Sequence, residues 1–430
     1  MAKRILLSFL GIGSLVSNNG KNSDEKLSTE KLKEDRKYRK ATYQIVGNSQ
    51  TEEERFVTIA LSKFRKYDGI LLLGTMKSMW DEAYAAFCDK NGIQIDEVYR
   101  KTLVELSTAS DHKTPLSNAK FDEVSKAMGG ISKAVPIHYG LNDEEQWKNF
   151  EIIENSIDHI SDYTKTIDLD ITHAFRSLPL FAISVINFLS MSRGKRVRLG
   201  EIYYGNLEVK QETNEIAKIV TLKPVEGMYR WVEAASAFQN FGNGKLLQER
   251  LEREGFNLEA NAVGNFSNQL QLNYADRIKK AVPELYKLKS DELPRAAQLT
   301  IKPVIDKFLK NFDTELPNHR FHLELARWYS ENFNYGYAYI NLAEAMVSFG
   351  GYQNGIDIQK GNNQQKEKNQ KKAKDYWKDD PLYQYVNNIR NTVAHPSSND
   401  TGIVEKAIRE LISKIGQVEN HFNKHEKQTN

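Results

Sequence analysis

The apolar residues of this chain change period once, near Pro224, and that change limits what the chain can fold into. Before it, short apolar runs alternate with helix-like segments such as 51–67 and 144–160. The runs are "RILLSFL" (4–10), "GILLLG" (69–74), "AVPIHYG" (134–140) and "TIDLDI" (166–171). Runs of this kind, bounded by glycine or charge, suit strands buried on both faces of a parallel sheet. Their alternation with helices predicts right-handed βαβ units. Residues 196–225 read as strands joined by a polar turn, a hairpin-like end to the sheet. After Pro224, segments 226–241, 267–282, 295–312, 321–350 and 381–395 show only three- and four-residue apolar spacing. The expected architecture is an α/β domain at 1–225 and an all-α domain at 226–430, with the polar stretch 351–375 as an exposed loop.

A net charge of +3 is too small for a nucleic-acid coat protein, so any phosphate contact must come from local patches. The single cysteine, Cys88, excludes an intrachain disulfide and a cysteine-rich zinc site, and fits a reducing cytoplasm. Lys3 and Arg4 ahead of "ILLSFLGIGSLV" imitate a signal peptide, but no small-x-small cleavage site follows. The segment reads better as a buried strand ending in a glycine turn. "LPLFAISVINFLSM" (178–191) is shorter than the roughly 18–20 residues that cross a bilayer, and reads as a helix buried on more than one side. A soluble, cytoplasmic protein with no membrane partner is expected.

Three strand ends carry residues suited to a phosphate-rich ligand, which in open α/β sheets sits beyond the carboxyl ends of the strands. Gly11, Gly13 and Ser14 form the first; a bare GxG without a third glycine is weak evidence of dinucleotide binding. Gly74, Thr75 and Ser78 form the second. The third is "DLDITHAFRSLP": Ile167, Leu169 and Ile171 point one way, Asp168 and Asp170 the other, before Thr172, His173, Arg176 and Ser177 lead into a helix. Such a turn can bind phosphate and ribose together. Equally, Ser177 can cap the helix ahead of Pro179 while Arg176 pairs with Asp170.

In the second half, Leu382, Tyr385, Val386, Ile389 and Val393 give one apolar helix face that starts at Pro381, with Asp379 or Asp380 as cap. Asn391 and His395 nearly share a face, Arg390 flanks them, and Pro396 ends the helix at His395. On spacing alone, basic residues at a helix C-terminus are as readily structural as catalytic.

"DITHAFRSLP", the glycine-bearing first strand and "LLLGTMKSMWD" together resemble the DxTHG-type CRISPR-associated proteins over most of residues 1–225. In that family the first domain is a CARF domain, a Rossmann-like sensor of cyclic oligoadenylate. Ala174 stands where the family name has glycine. Arg390, four residues and His395 match the R-x4-6-H motif of HEPN ribonuclease domains, with Asn391 as the polar residue that often follows the arginine. The resemblance implies a homodimer, possibly a higher oligomer, that binds the ring across its two-fold axis. Gly11, Gly13, Ser14, Gly74, Thr75, Ser78, Asp170, Thr172, His173, Arg176 and Ser177 are the ligand-contacting positions it carries over. It further implies an endoribonuclease for single-stranded RNA in type III CRISPR antiviral defence, needing no metal or other cofactor. Arg390, Asn391 and His395 would supply half of a composite site. Cyclic tetra-adenylate is favoured as the ring; whether the sensor also degrades its activator stays open.

Two other readings remain at this level. One is a nucleotide-sensing module whose helical domain only recruits partners; the other is a nucleotide-processing α/β enzyme with a helical dimerisation domain. His319/His322 and His421/His425 have metal-like spacing but no evident third or fourth ligand, so a solvated helix face is expected. The aromatic-rich segment 328–340 reads as core or interface rather than a base-stacking surface.

Overall fold

The structure is a computed structural model; it describes residues 3–12, 40–160, 165–173, 177–192, 196–208, 210–213, 215–395 and 401–426. Gly13, Ser14, Ala174 and Arg176 lie outside the described residues. Two compact units divide the chain, Met1–Glu226 and Gly227–Asn430.

In the first unit eight strands form one sheet: β1 (Lys3–Leu10), β2 (Ala41–Ile45), β3 (Glu52–Glu54), β4 (Gly69–Gly74), β5 (Lys133–Pro136), β6 (Lys165–Asp170), β7 (Val197–Asn206) and β8 (Ile216–Thr221). Their order is β3-β2-β8-β7-β6-β1-β4-β5. The pairs β6/β7, β1/β6, β1/β4, β4/β5 and β2/β8 are parallel, whereas β7/β8 and β2/β3 are antiparallel. β1 is the central hinge of the winding. From it the chain first forms β2 and β3 at the far edge, then β4 and β5 on the opposite side, and returns through β6 and β7 to β8 beside β2. Ile5, Leu7 and Phe9 face one hydrophobic layer, covered by helices Asp143–Ile160 and Ser177–Ser192. Leu6 and Leu10 face the other, covered by helices Val57–Phe64, Trp80–Asn91 and Asp122–Met128. The apparent signal peptide is thus a strand buried from Ile5 to Leu10, and among the described residues no helix is long and apolar enough to cross a membrane.

Two expectations fail in this unit. Residues 41–45, in the polar, Lys-rich stretch 14–50 that reads in the sequence as a long loop after the first strand, pair as β2 through the buried Tyr43, and the anticipated helix 51–67 begins as the edge strand β3. Consecutive glutamates disguise that strand; Lys63, on the following helix, pairs with both Glu52 and Glu54. Charge on an edge strand also discourages pairing with another chain.

The second unit is helical and shares one continuous core, from Trp231 to Phe422. Two of its anticipated helices are broken by left-handed residues, Asn273 (φ 53°) and Phe333 (φ 59°). Segment 267–282 thus divides between helices Asn257–Gln271 and Ala275–Ala281. Segment 321–350 divides between Asn318–Glu331 and Tyr335–Gln353. The expected loop 351–375 is corrected too: Asn363–Asp375 is a helix. The Asn362 side chain accepts from Gln365 N (3.0 Å), capping its start. Its single buried residue, Ala373, packs so closely on Gly350 that a Cβ there would lie 2.2 Å from the Ala373 carbonyl oxygen. One small contact and the neighbouring buried Trp377 anchor a helix too polar to be recognised by periodicity.

Candidate functional site

In the first unit, strand register brings the three predicted loops together. Leu10 lies beside Gly74, and Ser8 beside Asp170, so the loops leave the carboxyl ends of the adjacent strands β4, β1 and β6. This is the crevice where the strand order reverses and where open α/β sheets bind ligands. Thr75 and Ser78 are buried, and the Ser78 hydroxyl ties their loop to the end of β1. Ser78 Oγ donates to Leu10 O (2.7 Å) and lies 3.2 Å from Thr75 Oγ1. Met79 N donates to Gly11 O (3.1 Å), and Trp80 Nε1 to Thr75 O (2.8 Å). Gly74 is required by packing: a Cβ there would come 2.7 Å from the Trp80 ring.

Asp170 is fully buried and organises the third loop. Its Oδ1 accepts from Thr172 N (3.0 Å) and Thr172 Oγ1 (2.7 Å), an Asx-type turn. Thr172 Oγ1 in turn accepts from Gly205 N (2.8 Å), joining the turn to β7. Asp170 Oδ2 accepts from Ser8 Oγ (2.7 Å), which lies 2.7 Å from Thr58 Oγ1. Ser8 and Thr58 are missed by motif reading, although a hydroxyl inside "ILLSFL" is itself a signal. His173 packs edge-on to Phe56, and burial pushes its imidazole pKa down, with Asp170 opposing. Ser177 opens the helix Ser177–Ser192 and is exposed. Of the predicted positions, Gly11, Gly74, Thr75, Ser78, Asp170, Thr172 and His173 therefore lie at or just beyond the carboxyl ends of the adjacent strands β1, β4 and β6, while Ser177 begins the helix that follows β6.

In the second unit, the helix Pro381–Ala394 starts as expected: Asp380 Oδ1 accepts from Tyr383 N (2.9 Å), and Pro381 occupies the first turn. Tyr383, Val386 and Ile389 are buried, with Leu382, Tyr385 and Val393 packed at the margin. The last turn presents its polar residues outward. Arg390 is 40% exposed, and Asn391 and His395 are exposed. Arg390 Nη1 donates to Asn391 Oδ1 (3.1 Å), while Nη2 is 3.9 Å from Glu344 on the Tyr335–Gln353 helix, a partner the motif does not reveal. His395 closes the helix with its backbone N–H bonded to Asn391 O (2.9 Å), leaving the imidazole outside the core.

The other histidines have structural partners. His319 Nε2 lies 2.8 Å from Glu426 Oε1, beside Arg320, which binds the same carboxylate. His322 Nδ1 lies 3.0 Å from Asn341 Oδ1. His421 sits among Phe349, Tyr376, Trp377 and His425, so the solvated face expected for it is corrected to an aromatic cluster. Among the described residues no three His, Cys, Asp or Glu side chains converge as a metal site. Burial lowers the pKa of both His319 and His322, against the pull of their hydrogen-bond partners. The unfolded chain therefore binds more protons, and stability falls as pH drops through the ordinary histidine value of 6.5. We expect the melting temperature at pH 5.5 to lie several degrees below that at pH 7.5 (by roughly 2–4 °C per kcal/mol). His322→Gln should flatten the profile; an unchanged slope in that variant excludes His322 as a source.

Comparison with known proteins now adds to the geometry. The family model described as "CRISPR-associated protein MJ1674, second domain" matches residues 227–318, beginning where the second unit begins. Arg390 and His395 lie beyond that match. CRISPR-associated protein MJ1674 of Methanocaldococcus jannaschii is 27% identical over 419 residues, covering 93% of this chain. The chain spans 63% of that relative's length. Over nearly its whole length, then, this chain, an α/β unit followed by a helical one, is related to a CRISPR-associated protein.

Proposed function

We propose that the chain is a cyclic-oligoadenylate-activated, metal-independent endoribonuclease that acts in CRISPR defence as a homodimer. The observation that carries the reading is the end of the Pro381–Ala394 helix: three polar side chains in R-x4-H spacing face solvent from a helix whose other face is buried. Similarity to a CRISPR-associated protein supports the setting, and the crevice at the ends of β4, β1 and β6 is where a ring phosphate would sit.

In this mechanism the substrate supplies the nucleophile. The ribose 2′-oxygen attacks the adjacent phosphorus while its proton leaves to a base; the P–O5′ bond breaks, and the 5′-oxygen takes up a proton. The products are a 2′,3′-cyclic phosphate and a 5′-hydroxyl. His395 moves a proton or holds the scissile phosphate, Arg390 neutralises the developing charge, and Asn391 orients the guanidinium through the bond it already makes. A second copy of the same helix end would complete the site.

The test is cleavage of single-stranded RNA by the purified full chain in EDTA, with and without cyclic tetra-adenylate or hexa-adenylate. Coupling between two sites of ordinary strength gives about 5–150-fold stimulation by the matching ring. Equal rates with and without every ring would remove the sensor half of the proposal. No cleavage under any condition would remove the nuclease and leave a binding module.

A further inference from the structure

We propose that the helix Asn363–Asp375 is a binding surface for the phosphate backbone of a single-stranded nucleic acid. That the strand is RNA rests on the proposed function; the electrostatic argument stands without it. Thirteen residues, NQQKEKNQKKAKD, carry five lysines against two carboxylates, a local excess equal to the net charge of +3 on the whole chain.

Three observations point to a ligand rather than to a solvated helix. First, the lysines are arranged. Lys368, Lys371 and Lys372 are three and four residues apart and share a face; with Lys374 they are exposed, while Ala373 alone is buried. Second, they are not neutralised. Some lysines elsewhere pair with carboxylates, as Lys126 does with Glu123, Lys148 with Glu144 and Lys289 with Asp306. Among the described residues, none of the five lysines of this helix lies within ion-pair distance of a carboxylate, although Glu367 and Lys371 have helical spacing. Third, the helix is held in place despite having almost nothing to bury. Asn362 caps it, Asn369 Nδ2 donates to Asp357 O (2.9 Å), and Ala373 is seated on Gly350.

The chemistry of the face selects the partner. An interfacial membrane helix needs an apolar side to insert, and this helix has none beyond the buried Ala373. A protein interface needs apolar or aromatic anchors at its centre, also missing here. Lysines interspersed with Asn363, Gln364 and Gln370 are instead the donors that phosphate and sugar oxygens accept. The Tyr335–Gln353 helix supports this surface at Gly350 and packs against the candidate catalytic helix at Gly336, beside Val393. One rigid element therefore fixes the distance between the two features.

The experiment uses the full chain carrying His395→Ala, so that bound RNA is not consumed. Binding of a fluorescent single-stranded RNA is measured by anisotropy from low to high salt, with and without the added set Lys368→Gln, Lys371→Gln, Lys372→Gln and Lys374→Gln. Glutamine matches lysine in helix propensity, so the helix should persist. Each lost phosphate contact removes about 0.7 from the slope of log affinity against log salt. The expected result is a slope shallower by about 3 and low-salt affinity reduced by at least about 10-fold. The corresponding four lysine-to-arginine changes should retain both. Unchanged affinity and slope in the glutamine set overturns the proposal, as does a parent chain that binds phosphatidylserine vesicles but no nucleic acid. If slope and affinity change as expected but the chain with His395 intact cleaves nothing, this surface stands and the nuclease reading falls. Normal cleavage with an unchanged slope reverses that outcome.

Discussion

If the chain is the proposed nuclease, Arg390→Ala and His395→Ala should each reduce ring-stimulated cleavage of single-stranded RNA by about 10²–10⁴-fold, the range expected when a positioned proton-transfer or charge-stabilising group is lost. Neither change should lower stability measurably. The His395 imidazole is outside the core, and its structural bond, from its own backbone N–H to Asn391 O, survives in alanine. The Arg390 guanidinium is 40% exposed, with Glu344 at 3.9 Å, and such pairs contribute about 0–1 kcal/mol. A contrast comes from the same helix: Val386→Ala removes a fully buried side chain and should cost about 1–3 kcal/mol while acting on cleavage only through folding. The double variant Arg390→Ala/His395→Ala should be little worse than either single, since groups that serve one step are not additive. RNA with a 2′-deoxy sugar at the cleaved position should bind and stay intact, because the nucleophile is missing. A double variant that cleaves at the original rate ends the assignment of this helix.

Much of this was readable in the residues, and the exceptions have physical causes. β1, β4, β6 and the helix 177–192 announce themselves because each is a largely apolar segment bounded by polar residues, and the helix 143–160 does so by its three- and four-residue apolar spacing. β2 and β3 do not, because an edge hairpin buries one side chain, Tyr43, and covers the rest with charge. The helix Asn363–Asp375 escapes for a related reason: a helix held by one alanine on one glycine leaves no periodic stripe. The breaks at Asn273 and Phe333 depend on single residues in left-handed conformation, and only the first carries the residue type that favours it. At the candidate sites, residue types and spacing gave the positions but not their partners. Thr75, Ser78 and Thr172 look like ligand hydroxyls in the sequence, yet Ser78 is bonded to Leu10 O at the end of β1 and lies against Thr75, and Thr172 accepts from Gly205 N of β7, partners that only the strand register brings near. Glu344 is 46 residues from Arg390 in sequence (390 minus 344), and nothing local predicts their approach.

Arg4→Ala should destabilise the first unit by about 2–3 kcal/mol, and the reason lies under the same crevice. Asp168 is fully buried on the same face of β6 as Asp170. Arg4 Nε and Nη2 grip its two oxygens at 2.9 and 3.0 Å, with Tyr67 OH (3.1 Å) and Glu201 N (3.0 Å) completing its bonds. Removing one partner of a buried pair typically costs about 3–5 kcal/mol, because the remaining charge is stranded. Here the cost is smaller, since Arg4 is 38% exposed to screening water and two other donors stay in place. Arg4→Lys should recover only part of the loss, because an ammonium cannot reproduce the two-pronged contact. Arg4→Met with Asp168→Leu should be less harmful than Arg4→Met alone, since no unpaired charge remains. Hydrogen exchange localises the effect: amides of β1 and β6 should open more readily in Arg4→Ala, whereas those of the second unit stay protected. Asp170, two residues along the same strand, holds the Thr172 turn and Ser8, so loosening β6 should also weaken binding of the proposed ring. A variant that melts with the parent and shows parental exchange in β1 and β6 would mean that Asp168 is satisfied without Arg4.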